Sequence, residues 1–245
     1  MLTNPTLEKL QELRLSGMQN AYREQLEGSD YQDLGFDERL GFIVDREHTE
    51  RHNRRLQTRL RKAKLRLDAT VEDIDYRAQR GLDKSVVLSL ATCDWIRQHR
   101  NAIVTGPTGA GKTYLACALG HQACREGFTV QYHRVPKLFR ELAVAKGDGR
   151  YPKLLAALAK TDLLILDDWA TALLTDEQRR DLFEIAEDRY DTRATLIAAQ
   201  VPVKHWHETI GDPTLADAIL DRLIHNAHTI TLKGESMRKK QKAKP

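Results

Sequence analysis

Residues 106–113 read Gly-Pro-Thr-Gly-Ala-Gly-Lys-Thr and fit the phosphate-binding pattern G-x-x-x-x-G-K-[ST]. The glycines let the loop adopt conformations that a Cβ atom resists, so its backbone N–H groups can turn inward toward an anion. The helix expected after the loop directs the positive end of its dipole to the same point. In this pattern Lys112 reaches the β- and γ-phosphates, and the Thr113 hydroxyl ligates Mg²⁺. The predicted nucleotide-binding residues are Gly106, Pro107, Thr108, Gly109, Ala110, Gly111, Lys112, Thr113 and the following Tyr114.

The flanking residues predict that this loop lies between a strand and a helix. Residues 101–105 form a short apolar run of the strand type, and residues 114–124 are rich in Ala and Leu. Strand, loop and helix in this order are the context that the pattern requires. A turn that is Gly-rich without binding anything is the competing interpretation, and the agreement of pattern and context disfavours it.

Strands and helices alternate beyond the loop, which predicts a three-layer α/β core around a central parallel sheet. The expected strands are residues 102–105, 129–133, 163–167, 195–199 and 229–232. The expected helices of this core are residues 112–125, 136–146, 152–160, 176–190 and 215–225. Only polar and basic residues follow the last strand, so no C-terminal helical lid is expected.

Residues 1–68 are predicted to form a small all-helical domain for DNA binding and oligomerisation, ahead of an ATPase domain at 69–245 that ends in a basic tail. Apolar residues recur at helical spacing from Leu7 to Leu26. A second helix is expected to begin near Asp37 and to carry its apolar stripe as far as Leu67. An extended connector should then lead into the core.

The second of these helices has a basic face, because residues 51–66 contain basic residues and no acidic ones. Steps of three and four residues place most of the cations on one side of a helix. Contact with DNA phosphates is the functional interpretation, and an ordinary solvated face is the alternative. A solvated face usually mixes charges of both signs, which favours the first. The predicted DNA-binding residues are Arg51, Arg54, Arg55, Arg59, Lys62 and Arg66.

Composition restricts the class of protein. The chain has 245 residues, of which 30% are charged and 41% hydrophobic, a balance typical of globular proteins that are soluble. No apolar run approaches the roughly 18 residues that span a bilayer. The N-terminus lacks the pattern of a secretory signal, and the three cysteines form no metal or disulfide framework. We therefore expect a cytoplasmic protein without a membrane partner.

A second informative stretch is residues 163–168, Leu-Leu-Ile-Leu-Asp-Asp. Four aliphatic residues followed by two carboxylates predict a buried strand that delivers charge to its C-terminal end, where open α/β sheets bind ligands. Asp167 is expected to hold Mg²⁺ together with Thr113, and Asp168 to orient the attacking water. Most ATPases of this class have Glu at the second position. The shorter Asp168 predicts slow hydrolysis, which suits a switch better than a motor.

Two further residues are candidates for contact with the γ-phosphate. Gln200 ends the fourth expected strand and could sense that group, although a glutamine that caps the strand end is equally compatible. Arg222 lies on the last expected helix and could reach the site of a neighbouring subunit, where an arginine stabilises the transferring phosphoryl group. An ion pair within its own helix is the alternative for Arg222.

Taken together, these segments resemble the IstB family, the helper ATPases of bacterial insertion-sequence transposition, which are related to the DnaC helicase loaders within the AAA+ superfamily. The phosphate loop alone indicates only an ATPase. The Asp-Arg-Leu segment at 221–223 and the Gly-Glu-Ser-x-Arg tail narrow the resemblance to this family. It extends over nearly the whole chain and rests on residues 13–18, 101–113, 163–169, 200–206, 220–228 and 232–238.

The resemblance implies ATP and Mg²⁺ as cofactors and a role for each matched residue. Lys112 and Thr113 match the Walker A motif, which binds the phosphates. Asp167 and Asp168 match the Walker B motif at the end of the third strand. Gln200 falls at the sensor position, Arg222 at the arginine finger, and Arg238 would be a second arginine near a nucleotide. The family assembles ATP-dependent oligomers on double-stranded DNA and stimulates a partner transposase of the IstA type. Before the sensor position, where the family often has Ser or Thr, this chain has Ala199.

Four other functions compete with this one. A helicase loader of the DnaC type would bind single-stranded DNA, and the long basic helix only moderately favours a duplex. A GTPase would carry an N-K-x-D segment, and a small-molecule kinase would need a substrate domain and an arginine-rich lid; the sequence has neither. A purely structural DNA-binding protein would not need the carboxylate pair at the end of a strand.

Overall fold

The structure is a computed structural model that describes residues 4–28, 30–31, 33–78, 80–234 and 236–237. The chain divides into two compact units, Met1–Thr58 and Arg59–Pro245. Among the described residues, no helix combines the length and the apolar composition that crossing a membrane requires.

Three helices occupy the N-terminal part of the chain: α1 (Pro5–Glu12), α2 (Ser16–Glu27) and α3 (Phe36–Ala63). Asn4 caps α1 by accepting a hydrogen bond from the Thr6 N–H. The sequence predicted one helix from Leu7 to Leu26. That prediction was wrong, because Arg14 adopts a left-handed conformation with φ of 57° and separates α1 from α2.

Helices α2 and α3 make a close contact in the first unit. Gly17 lies directly against α3, where a Cβ atom would come within 2.6 Å of the Glu47 Cα. The Glu47 carboxylate accepts hydrogen bonds from the N–H groups of Gly17 at 2.7 Å and Met18 at 3.1 Å. The buried glutamate therefore satisfies two of the backbone donors that the first turn of α2 would leave open.

Helix α3 is shorter than predicted at its C-terminal end. It ends at Ala63, and Lys64 follows with a left-handed φ of 51°. The apolar stripe expected to reach Leu67 is thus interrupted, and Arg66 lies beyond the helix. Two short helices, α4 (Lys84–Ala91) and α5 (Asp94–Arg97), follow the irregular connector.

The second unit contains a five-stranded sheet in the order β2-β3-β4-β1-β5. All neighbouring strands are parallel, which confirms the predicted α/β class. Every strand lies within two residues of its predicted bounds. The strands are β1 (Ala102–Thr105), β2 (Val130–Arg134), β3 (Leu163–Trp169), β4 (Ala194–Ala199) and β5 (His228–Thr231).

Helices cover both faces of this sheet in the predicted alternation. They are α6 (Lys112–Arg125), α7 (Val135–Gly147), α8 (Tyr151–Lys160), α9 (Asp176–Arg189), α10 (Trp206–Ile210) and α11 (Pro213–Ile224). Helix α10 was not predicted from the sequence. It is a single turn that carries the buried Trp206, and the centre of its ring lies 5.2 Å from that of Trp169. The core centres on β3, where Leu163, Leu164 and Ile165 are fully buried. Burial on both faces explains the unbroken aliphatic run.

Candidate nucleotide-binding site

The phosphate loop connects β1 to α6 and depends on its glycines. Gly106, Gly109 and Gly111 have φ values of 149°, 82° and 97°, a region that favours glycine. All three also admit a close neighbour, which for Gly109 is Ser236. A Cβ on Gly106 would lie 2.5 Å from the Leu232 carbonyl oxygen, and one on Gly111 would lie within van der Waals overlap of the Arg80 guanidinium. The conformation predicted from the sequence is present.

Lys112 begins α6 and is almost fully buried, with 8% of its surface exposed. Its ammonium group donates hydrogen bonds to the carbonyl oxygens of Gly106 at 2.7 Å and Pro107 at 2.9 Å. These contacts hold a positive charge against the loop that precedes the helix. The N-terminus of α6, with the positive end of the helix dipole, lies at the same place. The ammonium charge and the helix dipole together favour binding of an anion beside the loop.

Asp167 connects the phosphate loop to the sheet. Its Oδ2 atom accepts hydrogen bonds from the Thr113 hydroxyl at 2.8 Å and from the Tyr132 hydroxyl at 2.6 Å, and only 1% of the residue is exposed. Burial, together with the hydrogen bond to Asp167, raises the pKa of Tyr132, so the phenol remains a donor at neutral pH. The pairing of Thr113 with Asp167 was predicted from the sequence, whereas the contact with Tyr132 was not.

Asp168 has a left-handed backbone conformation, with φ of 56°, and its carboxylate lies between two arginines. Arg134, the last residue of β2, donates from Nε to Asp168 Oδ2 at 2.6 Å. The same oxygen lies 3.9 Å from Nη1 of Arg66. The hydrogen bond and the charge of Asp168 raise the pKa of Arg134. Neither arginine was assigned to this site by the sequence.

Gln200 lies beside the phosphate loop. The residue directly follows the end of β4, and its Oε1 atom accepts a hydrogen bond from the Thr108 hydroxyl at 2.9 Å. The side chain is therefore near the place where a terminal phosphate would lie, and its role as a sensor stays a prediction.

These groups line one cleft of about 660 Å³, a size that suits a nucleotide. The lining includes most of the predicted nucleotide-binding residues and adds several that were not predicted. The additional residues are Arg66, Leu67, Asp68, Asp73, Asp75, Arg80, Arg134, Ala198 and Met237.

Two of the additional residues bring distant segments onto the phosphate loop. Arg80, from the connector before α4, is 5% exposed and donates to the Ala110 carbonyl at 3.2 Å and to the Asp75 carbonyl at 3.0 Å. The Met237 N–H donates to the Gly109 carbonyl at 2.9 Å. The connector and the segment after β5 thus both buttress the loop. Arg238, the second predicted nucleotide arginine, lies outside the described residues.

The oxygen atoms at the end of β3 suit Mg²⁺. Thr113 offers a hydroxyl and Asp167 a carboxylate on adjacent elements, and small hard cations prefer such ligands. Among the described residues there is no cluster of three or more His, Cys, Asp or Glu side chains that could hold a metal alone. In other phosphate-loop sites the cation is held by the loop hydroxyl, an aspartate and the nucleotide phosphates, and Thr113 and Asp167 would supply the protein part of such a set.

Arg222 lies on α11 and contacts residues of its own subunit. Its guanidinium pairs with Glu187, donates to the Ala218 carbonyl at 2.8 Å, and lies 5.2 Å from the centre of the Phe183 ring. The side chain is 24% exposed. Its function as an arginine finger for a neighbouring subunit stays a prediction.

The predicted DNA-binding residues do not have equal surroundings. Arg51 pairs with Glu47 at 2.6 Å, and Arg54 donates to the Ser16 hydroxyl at 2.7 Å. Arg59 donates to the Cys124 carbonyl at 2.7 Å, and Arg66 lies in the nucleotide cleft. Arg55 and Lys62 are exposed. DNA contact by these six side chains stays a prediction.

A phosphate loop between β1 and α6, with carboxylates at the end of β3, defines a P-loop nucleotide-binding protein. The family model described as IstB-like ATP binding protein matches residues 8–245, so the chain belongs to that family. An insertion-sequence ATP-binding protein of Sinorhizobium fredii (y4pL) is 52% identical over 244 residues, covering 100% of both chains. The IS21 ATP-binding protein of Pseudomonas aeruginosa is 33% identical over 96% of this chain and 89% of its own length.

Solved structures support the AAA+ fold. DnaI matches 67% of this chain and 91% of its own with a TM-score of 0.59 at 20% identity. The DnaC helicase loader matches 70% of this chain and 100% of its own with a TM-score of 0.57 at 18% identity. The predicted resemblance to the IstB family and to the fold of the DnaC loaders is therefore confirmed.

Proposed function

We propose that this chain is a Mg²⁺-dependent ATPase that assembles on target double-stranded DNA and presents that DNA to a partner transposase, whose activity it stimulates. The observation that carries the proposal is the convergence of Lys112, Thr113, Asp167 and Asp168 in one cleft of a chain that belongs to the IstB-like family. Relatives encoded by insertion sequences bear the name ATP-binding protein, which supports the connection with transposition.

Each residue of the cleft has a distinct part in the proposed reaction. Lys112 and the loop N–H groups bind and neutralise the phosphates, and Thr113 with Asp167 would hold Mg²⁺, which offsets the charge that develops on the phosphoryl oxygens. Tyr132 keeps the Asp167 carboxylate in place through its hydrogen bond. Asp168 orients the attacking water and accepts its proton. Gln200 contacts the terminal phosphate from the end of β4.

Arg222 would complete the site of an adjacent subunit and so make assembly depend on ATP. The mixing of two inactive variants tests this directly. Lys112→Ala subunits lack a functional phosphate loop but retain Arg222. Arg222→Ala subunits retain the phosphate loop but lack the arginine that would act on a neighbour. If Arg222 acts on a neighbour, the mixture hydrolyses ATP faster than either variant alone. A mixture as inactive as its components would contradict the assignment.

A second variant separates this role from the ion pair inside the subunit. Glu187→Gln removes the charged partner of Arg222 but leaves the arginine in place. It should retain ATP-dependent assembly if Arg222 acts in the neighbouring site. Loss of assembly in Glu187→Gln equal to that in Arg222→Ala would instead indicate that the pair is structural.

DNA binding would rest on the basic residues of α3 and would be largely independent of sequence. Phosphate contacts release counterions, so affinity should fall at least about tenfold between 50 and 200 mM salt. Affinity that does not change with salt would show that the basic face has another partner.

Binding to duplex and single-stranded probes of equal length distinguishes the two leading functions. We expect duplex binding that requires ATP and Mg²⁺, measured by fluorescence anisotropy. A preference for single strands would favour a helicase loader, whose fold the chain shares. Absence of binding to either probe would contradict both functions.

A further inference from the structure

Arg66 was expected on the DNA-binding face of a helix, but the structure places it elsewhere. Helix α3 ends at Ala63, and Lys64 turns the chain with a left-handed φ of 51°. Arg66 then enters the cleft that Lys112, Thr113 and Asp168 also line. Its guanidinium lies 3.9 Å from the Asp168 carboxylate.

The position of Arg66 is fixed by the packing of its neighbours against α6. Ala63 is fully buried, and the Leu65 side chain lies 3.0 Å from the place where a Cβ on Gly120 would be. Arg59 donates to the Cys124 carbonyl near the end of the same helix. The segment from Arg59 to Arg66 therefore runs along the helix that begins at the phosphate loop, which gives Arg66 a defined direction into the cleft.

Arg66 contacts Asp168 and the Tyr132 hydroxyl, and its five N–H groups exceed what these two partners accept, so donors remain for another anion. Arg134 makes the short hydrogen bond to Asp168 Oδ2, at 2.6 Å, whereas 3.9 Å is beyond hydrogen-bond distance for Arg66. A guanidinium carries five N–H donors in a planar fork that matches phosphate oxygens. The carboxylate that orients the attacking water must lie next to the γ-phosphate. A guanidinium close to that carboxylate is thus within reach of the same phosphate.

We propose that Arg66 is a nucleotide-binding residue that contacts the γ-phosphate of ATP bound in its own subunit, and not a DNA contact. This proposal rests on the proposed ATP-binding function. It adds a second arginine, which comes from the same chain as the phosphate loop, to the arginine finger Arg222 expected from a neighbouring subunit. ADP lacks the group that Arg66 would contact. Arg66 would therefore let a single chain distinguish ATP from ADP, without a neighbouring subunit and without DNA.

The test compares nucleotide affinities without DNA, at protein concentrations low enough that light scattering shows no assembly with either nucleotide. The probes are fluorescent N-methylanthraniloyl derivatives of ADP and of the non-hydrolysable analogue β,γ-methylene-ATP, both with Mg²⁺. A charged hydrogen bond of ordinary strength predicts that Arg66→Ala weakens the ATP analogue by about 10- to 100-fold. ADP affinity should stay within about twofold, because no contact to ADP is removed.

Two companion variants control for trivial causes. Arg61→Ala removes an exposed cation near the end of α3, five residues before Arg66, and should leave both affinities unchanged. Arg66→Lys keeps the charge without the planar fork and should retain part of the preference for ATP. Circular dichroism of each variant confirms that the fold is retained.

Two results would overturn the proposal. Equal losses for ATP analogue and ADP in Arg66→Ala would indicate a general disturbance of the cleft. Unchanged affinity for both would remove Arg66 from the nucleotide site. These outcomes differ from failure of the proposed function itself, in which the unsubstituted protein would bind neither nucleotide.

Discussion

The two compact units of this chain are stabilised by different kinds of contact. In the unit Arg59–Pro245, the aliphatic residues of β3 are completely buried between two helical layers. In the unit Met1–Thr58, a buried glutamate holds α2 against α3, and the closest approach is made by a glycine. Apolar burial gives the sheet-containing unit a stable scaffold for chemistry, since the hydrophobic effect is the dominant favourable contribution to folding. The helical unit depends more on a few polar contacts.

The largest expected effect concerns the chemistry of the sheet-containing unit. Asp167→Asn removes a charge from the proposed metal site while keeping its shape, so ATP hydrolysis should fall by more than about 100-fold. Phosphate release in the presence of Mg²⁺ measures the rate. Asp217→Asn, at a side chain that is 82% exposed, is the matched control and should hydrolyse ATP normally. Comparable activity in the two variants would contradict the assigned role of Asp167.

The next effect concerns the aliphatic core. Leu164→Ala creates a cavity at a fully buried position of β3 and should lower the free energy of unfolding by about 2–5 kcal/mol. Leu26→Ala, at a leucine of α2 that is 52% exposed, should cost less than about 1 kcal/mol. Chemical denaturation monitored by circular dichroism provides both values. Similar costs would mean that the two units do not differ as described.

A smaller effect is expected at the glycine contact of the helical unit. Gly17→Ala places a Cβ 2.6 Å from the Glu47 Cα and should separate α2 from α3, at a cost of about 1–3 kcal/mol. Hydrogen exchange should accelerate at amides of α2 while amides of β3 remain protected.

Gly41→Ala is the matched control for that substitution, because Gly41 also lies in a helix and no atom lies within 4 Å of its would-be Cβ. Alanine there should stabilise the helix by about 0.5–1 kcal/mol. Destabilisation by both substitutions, or by neither, would argue against the close contact at Gly17.

The smallest effect is the pH dependence of the Glu47 contact. Burial acts to raise the pKa of Glu47, but hydrogen bonds from Arg51, Met18 and Gly17 outweigh it and lower the pKa below its ordinary value of 4.5. A lowered folded-state pKa stabilises the protein above pH 4.5, and this contribution is lost as pH falls through the folded-state value.

Acid titration of hydrogen exchange in α2 should therefore show declining protection below pH 4.5, and Glu47→Gln should flatten that decline. Protection that is equally pH-dependent in the substituted protein would assign the effect to other carboxylates.

The sequence predicted those parts of the structure that local patterns determine. The phosphate loop, the aliphatic run of β3 and the alternation of strands and helices each have a signature within a few neighbouring residues, and all were located correctly. The two carboxylates at the end of β3, Asp167 and Asp168, were also located, because they directly follow that run.

The missed features arise from contacts between distant segments. Tyr132 and Arg134 reach Asp167 and Asp168 only because β2 pairs with β3, which no local pattern reveals. Arg80 is carried to the phosphate loop by an irregular connector. The early end of α3 depends on Lys64, a residue without a strong preference for the left-handed conformation that it adopts. That single turn removes Arg66 from the helix and brings it to the cleft beside the phosphate loop.

The central claim is that ATP bound in this cleft makes the chain assemble on duplex DNA. Sedimentation velocity of a fluorescent duplex tests it most directly, with the unsubstituted protein and Lys112→Ala in the presence of Mg²⁺ and either ATP or ADP. We predict large complexes on the duplex only for the unsubstituted protein with ATP. Complexes of equal size with ADP, or with Lys112→Ala, would contradict the account.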